Sequence, residues 1–139
     1  MTAYLSAADV LALHAAYLEA RGHAPRGLRD LNLLESALAR PQMAAHYEGA
    51  DLIRQAALLG AGIIQNHPWR DGNKRGAYIA IVNFLDQNGL AVNLPGGDPL
   101  ALAFELQEVA RRRESGESLA DASASLEAWL RAHTALREE

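Results

Sequence analysis

Asn73-Lys74-Arg75-Gly76-Ala77-Tyr78-Ile79-Ala80-Ile81-Val82-Asn83-Phe84-Leu85-Asp86-Gln87-Asn88 is the stretch around which the rest of the chain arranges itself. From Ala77 to Leu85 it offers almost no polar face over two turns. A helix apolar all round is buried by neighbours on several sides, so this run is expected at the centre of a helical domain. Asn88-Gly89 supplies its stop, since glycine accepts the left-handed backbone of a helix end. Its other end is unusual. Lys74 and Arg75 are cations in a first helical turn, where the dipole favours carboxylates, and that placement makes structural sense if an anion binds there.

Working outward, the punctuation predicts six helical segments and one short extended piece. Ser6 caps a first helix to about Ala20, with Val10, Leu13, Tyr17 and Leu18 as its apolar stripe. Gly22, Pro25 and Gly27 then break the pattern, so His23 to Arg29 is expected as an exposed loop or flap. Asp30 caps a short helix carrying Leu33, Leu34, Ala37 and Leu38, which Pro41 is expected to stop. Asp51 caps another, with Ile53, Ala56, Ala57, Gly60 and Ile63 or Ile64 on one face. Leu90 to Leu94 reads as a strand or a loop, Asp98-Pro99 opens a fifth helix to about Arg113, and Ser118 caps a sixth reaching past Trp129. The fold class is therefore all-α, a compact bundle of about six helices around a buried central one, with a small extended flap. Residues 1–139 are expected to form a single domain, with no repeat or long linker.

Bulk properties narrow the function. Half of the 139 residues are apolar and 22% are charged, the composition of an ordinary globule. No apolar run reaches the ~20 residues of a membrane span, and no signal-peptide pattern opens the chain, so a cytoplasmic protein is expected. With no cysteine, disulfides and thiolate chemistry are excluded. A net charge of -4 argues against direct nucleic-acid binding.

The chemistry concentrates in His67-Pro68-Trp69-Arg70-Asp71-Gly72-Asn73-Lys74-Arg75, between two apolar helices. Pro68 disfavours helix at His67, which weakens the reading of His67 and Asp71 as a metal pair one turn apart on a helix face. Asp71-Gly72 can make a tight turn, after which Asn73 opens the helix. A neutral imidazole at His67 can accept the proton of an attacking hydroxyl. Asp71 can hold Mg²⁺, a hard cation that bridges phosphate oxygens. Asn73 can donate to a phosphate or orient the metal, while Lys74 and Arg75 can stabilise charge on a transferred group. Lys74 is the only lysine in the chain. Trp69 would anchor the loop by burying its ring.

Bland readings stand beside these. His67 can be a structural histidine bonded to a helix end, Asp71 a helix cap, and Lys74 and Arg75 solvated charges. His14 and His46, with no paired ligands in sequence, read as structural. Arg111-Arg112-Arg113, surrounded by Glu105, Glu108, Glu114 and Glu117, reads as a solvated helix end rather than a nucleic-acid patch. Leu126, Trp129 and Leu130 read as core packing, although a terminal amphipathic helix can also receive a partner.

The nine-residue loop resembles the signature of the Fic superfamily, and specifically its death-on-curing (Doc) toxin branch. Gly27-Leu28-Arg29-Asp30, the segment Leu33 to Pro41, and Phe84-Leu85 with Asn88-Gly89 are similar to the Doc pattern at matching spacing. The resemblance implies a Fic-type helical fold, ATP with Mg²⁺, and His67 as the base activating a target hydroxyl. Gly72, Asn73, Lys74 and Arg75 would bind nucleotide phosphates, Asp71 the metal, and the flap His23, Ala24, Pro25, Arg26, Gly27, Leu28 and Arg29 would position the target. Lys74 replaces a glycine, and Tyr78 a second arginine, of the AMP-transferring branch. Both departures match Doc, which transfers the terminal phosphate of ATP to a translation elongation factor. The alternatives are an AMP transferase using the same loop with the nucleotide reversed, and a non-catalytic partner-binding module. The inhibitory serine-to-glutamate helix common among Fic enzymes has no match here; Ser123 to Glu127 is followed by Ala128, and Glu48-Gly49 has Ala44 at the serine position. Inhibition would then fall to a separate antitoxin of the Phd type.

Overall fold

Four helices begin where a short polar side chain can take up an orphan backbone N–H. In the computed structural model, which describes residues 1–25 and 27–138, α1 spans Ala7–Ala20. Its cap is reciprocal: the Ser6 hydroxyl accepts from the Asp9 amide at 3.1 Å, and the Asp9 carboxylate accepts from the Ser6 amide at 2.9 Å. Asp30 caps α2, Leu31–Glu48, and Asp51 caps α3, Leu52–Asn66. The fifth helix, α5, spans Leu100–Glu114, and Ser118 caps the single turn of α6, Leu119–Ala122. Between α3 and α5 lie α4, Asn73–Gln87, a short strand β1, Leu90–Val92, and one 3-10 turn, Pro95–Gly97. Then α7, Ala124–His133, ends in β2, Thr134–Leu136, which pairs antiparallel with β1 so that Leu90 faces Leu136.

The all-helical class holds, with four corrections in detail. Pro41 does not stop its helix. α2 runs on to Glu48 and ends at Gly49, whose φ of 65° makes a left-handed cap. One backbone hydrogen bond is lost at the proline, but Pro41 and Ala44 are buried, and that packing holds the helix past the break. Secondly, the innermost helix is α3 rather than the Asn73 run: Gln55 to Ile64 are buried without interruption, and α2, α4, α5, α6 and α7 all pack on it. α4 keeps one half-exposed face at Tyr78, Val82 and Asn83. The small residues of α3 explain the difference, since they let neighbouring helices approach closely. A Cβ at Gly60 would come within 2.4 Å of Ile81 Cδ1, on the facing side of α4.

Thirdly, the sixth predicted helix is two. It breaks at Ser123, a buried residue whose hydroxyl donates to the Ala120 carbonyl at 3.2 Å. Fourthly, β2 is an element outside those the sequence predicts, and it ties the segment after α7 to β1. One cluster of buried apolar side chains draws on Leu5, Val10, Leu34, Ile63, Ile81, Leu106 and Leu126, joining α1 through α7. Among the described residues no helix is long and apolar enough to cross a membrane.

Candidate active site

The end of α3 and the start of α4 are joined by Pro68–Gly72, and the local sequence explains the shape. The helix-disfavouring Pro68 leaves His67 as the C-cap of α3, at φ 51° and ψ 57°. His67 is the one non-glycine with positive φ among the described residues. Its Nδ1 lies 2.5 Å from the Ile64 carbonyl oxygen. A carbonyl only accepts, so Nδ1 carries the proton and a neutral ring has its lone pair on Nε2. The bland reading of a histidine bonded to a helix end is thus realised, and it leaves Nε2 as the acceptor of a neutral ring. The ring is exposed.

Trp69 is 1% exposed and fills the space above Gly76, where an added Cβ would stand 2.3 Å from its Cζ3 atom. His14, buried as its structural reading requires, meets the same indole edge-on at 4.6 Å between ring centres. Asn73 turns its amide back on the loop: Oδ1 accepts from the Trp69 amide and Nδ2 donates to the Trp69 carbonyl, both at 2.9 Å. That side chain holds the loop's shape, and any phosphate contact from Asn73 falls to its backbone N–H. Asp71 is exposed and accepts from the Gly72 amide at 2.9 Å, and Gly72 sits at φ 86°.

The N-terminus of α4 is built differently from those of α1, α2, α3 and α6. It has no side-chain cap and, like α2 and α3, no acidic residue in its first turn. Lys74 and Arg75 project from it, both exposed. The Lys74 ammonium donates to Gln107 Oε1 at 3.0 Å, and the Arg75 guanidinium lies 4.7 Å from the centre of the Tyr17 ring. Two hollows meet at this helix end. The larger, about 1220 Å³, is bounded by His67, Arg70, Asp71, Gly72, Asn73 and Lys74 on one side and by α5 residues from Leu100 to Glu114 on the other. The smaller, about 660 Å³, shares Asp71, Gly72 and Lys74 and continues over Tyr17, Arg21, Arg75 and Tyr78. Burial raises the Tyr78 phenol above the usual tyrosine range, with the neighbouring Tyr17 adding to the shift, so Tyr78 stays neutral here.

The flap reaches the loop as backbone. Leu28 forms an antiparallel bridge with Trp69, the Arg70 amide donates to the Gly27 carbonyl at 3.1 Å, and the Arg29 amide donates to the Pro68 carbonyl at 2.6 Å. The Arg29 side chain adds two bonds to the end of α3, from Nε to the His67 carbonyl at 3.0 Å and from Nη2 to the Asn66 carbonyl at 2.9 Å. His23, Ala24, Pro25, Gly27 and Arg29 are exposed, and no described flap residue lines either hollow. Arg26, also assigned to the flap, lies outside the described residues.

No group of three His, Asp or Glu positioned for a metal occurs among the described residues. Mg²⁺ needs no such cage, because it is held by one or two carboxylates together with substrate phosphates, and Asp71 at the junction of the hollows fits that donor set. Sequence reasoning missed the α5 wall, above all Phe104 and Gln107, and the α1 pair Tyr17 and Arg21. A signal existed for the wall: Leu100 and Phe104 stand one turn apart, off the buried stripe of Leu102, Leu106 and Val109, and are 69% and 62% exposed. Glu127, the glutamate of the nearest inhibitory-helix candidate, is engaged by Arg54 and Arg131 and lines neither hollow.

A family model described as the Fic/DOC family matches residues 4–85, which covers α1 through most of α4 and the whole loop. The chain is also 39% identical over 94 residues to Toxin Doc of Mycolicibacterium smegmatis, an alignment covering 65% of this chain and 68% of that relative.

Proposed function

Because the chain belongs to the Fic/DOC family, whose members transfer groups to hydroxyls, we propose that it is a Doc-like toxin kinase. It transfers the γ-phosphate of ATP to a Ser or Thr hydroxyl of a translation elongation factor and so arrests protein synthesis. The single observation that carries the reading is the pairing of two features in one loop. His67 has its Nδ1 proton committed to Ile64, which leaves Nε2 as acceptor, and it stands beside an uncapped helix end bearing Lys74 and Arg75.

In this reading the target oxygen bonds to the γ-phosphorus while the bond from that phosphorus to the β,γ-bridging oxygen breaks. ADP leaves, and the hydroxyl proton passes to Nε2 of His67. The backbone N–H groups of Asn73, Lys74 and Arg75, with the two cationic side chains, stabilise the charge on the phosphate oxygens. Mg²⁺ on Asp71 would neutralise further phosphate charge when bound. The relative's name, Toxin Doc, supports a toxin; in this reading a separate antitoxin of the Phd type restrains it, and it acts in the cytoplasm.

The test is purified protein with a matching cell lysate, Mg²⁺ and ATP labelled at the alpha or at the gamma position. Label from gamma alone on one discrete protein, absent with His67→Ala and reduced with Lys74→Ala, is the expected result. Label from alpha makes the protein an AMP transferase. Label from neither, with an elongation factor present, removes the catalytic reading.

A further inference from the structure

The smaller hollow holds more positive charge than the motif loop alone accounts for. Arg21, the C-cap residue of α1, lays its guanidinium 3.5 Å from the centre of the Tyr17 ring. Arg75, from the first turn of α4, approaches the same ring at 4.7 Å. Two guanidinium groups from opposite ends of two helices therefore converge on one aromatic side chain, with the Lys74 ammonium lining the same space. Against these three cations the hollow carries, among the described residues, a single carboxylate, Asp71. Among the described residues, none of the three cations lies within ion-pair distance of a carboxylate. The larger hollow is nearly balanced by comparison, since Glu108 and Glu114 accompany Asp71 there.

A local account of Arg21 exists. Its Nη1 donates to the Tyr17 carbonyl at 3.3 Å, as a cation at a helix C-terminus does. That account leaves Arg75 unexplained, because nothing local draws a second guanidinium to the same ring from a helix N-terminus, where a cation is disfavoured. Three like charges beside one carboxylate repel one another on balance, and a bound polyanion removes the repulsion. The Tyr17 ring supports the arrangement, since its face attracts cations and keeps their planar forks oriented for phosphate oxygens.

We infer that Arg21, held on Tyr17 beside Arg75, is a phosphate-binding residue that extends the nucleotide site from the motif loop onto α1. It would contact the polyphosphate chain on the side away from His67. This rests on the nucleotide-transfer reading above and adds a residue that neither the nine-residue signature nor its spacing assigns.

The experiment is calorimetric titration of the whole protein with ATP, inorganic tripolyphosphate and adenosine, each in Mg²⁺. Wild type is compared with Arg21→Gln and with Arg131→Gln, which removes an arginine paired to Asp51 and absent from both hollows. Arg21 is exposed, so its variant should keep the fold, and circular dichroism checks this. The expected result is a tenfold or greater loss of affinity for both ATP and tripolyphosphate in Arg21→Gln, with Arg131→Gln equal to wild type. Equal affinities in wild type and Arg21→Gln overturn the inference and leave the nucleotide reading intact. Loss for ATP but not for tripolyphosphate also overturns it, since Arg21 would then read the nucleoside. A wild type that binds neither ATP nor tripolyphosphate removes the nucleotide reading itself.

Discussion

The Arg29 guanidinium donates to the backbone carbonyl of His67, and its second bond goes to the carbonyl of Asn66. These are the last two residues before Pro68, so the flap fixes the peptide from which the candidate base projects. A planar fork reaching two adjacent carbonyls is a geometry that an ammonium does not reproduce. Because His67 sits at a positive φ, which a side-chain-bearing residue rarely adopts, the clamp also holds a conformation that the backbone alone disfavours.

Arg29→Ala is therefore expected to lower the transfer rate by tenfold or more while changing nucleotide affinity less than threefold. Arg29→Lys should recover little of the rate. Both bonds lie at the surface, so the stability cost is about 1–2 kcal/mol. Single-turnover rates alongside nucleotide titrations separate the two effects. Equal losses in rate and affinity would show that the flap arginine touches the nucleotide instead of shaping the loop.

The contact between Trp69 and Gly76 yields a second prediction, independent of any reaction. Gly76→Ala places a methyl group inside the indole, so the loop and α4 must separate. Overpacking of this kind costs about 1–3 kcal/mol. Replacing Trp69 by Phe leaves a cavity on its own and costs a comparable amount. The double variant, in which the smaller ring makes room for the methyl, should be more stable than the sum of the two losses by about 1 kcal/mol or more. Urea unfolding of the four proteins measures this coupling, and strict additivity would count against the contact.

Why some of this was legible and some not follows from where the determinants lie in the chain. Ser6, Asp30, Asp51 and Ser118 bond to amides two or three residues away, so a short window contains the whole cause of each helix start. The motif loop is also contiguous, and its turn at Asp71-Gly72 follows from adjacent residues. Pro41 misled because the interaction that overrides it is packing of α2 on α3, which no local pattern contains. The central place of α3 is not legible locally because its burial comes from Gly60, Ala61 and Gly62, small residues that are weakly apolar yet allow close approach. Within the site, Gln107 and Arg21 enter from helices far away in sequence, and nothing in their own neighbourhood marks them.

A pH prediction follows from Asp51. The Arg131 guanidinium, then the Arg54 backbone N–H, hold its carboxyl below the usual carboxylate range. A depressed carboxylate stabilises the fold fully above its unfolded value, near 3.8, and that contribution is lost as pH falls through the lower folded value. The pair is about half exposed, so the effect is that of a surface ion pair, about 0.5–1 kcal/mol. Thermal unfolding of wild type and Asp51→Asn between pH 2 and 6 should show a gap at pH 6 that narrows in acid. A gap that stays constant would assign the stabilisation to packing around α7 instead of to the charge.

Gln107 offers a graded test of the larger hollow, because its amide oxygen accepts from Lys74 Nζ without neutralising it. Gln107→Ala frees the lysine side chain and restores rotamer freedom, which should weaken ATP binding only a few-fold. Gln107→Glu keeps the acceptor at the same reach but adds a negative charge about 3 Å from the ammonium. The lysine is then paired within the protein, and the approaching phosphates meet one more anion, so binding should weaken by tenfold or more. Screening distinguishes the two causes. The Glu variant's deficit should shrink as salt is raised, since it is electrostatic at an exposed site, whereas the Ala variant's deficit should hardly change. Titrations at two ionic strengths decide it. If Glu binds ATP as well as Ala does, Lys74 makes no direct contact with the nucleotide, and the cationic start of α4 acts through Arg75 and the backbone amides alone.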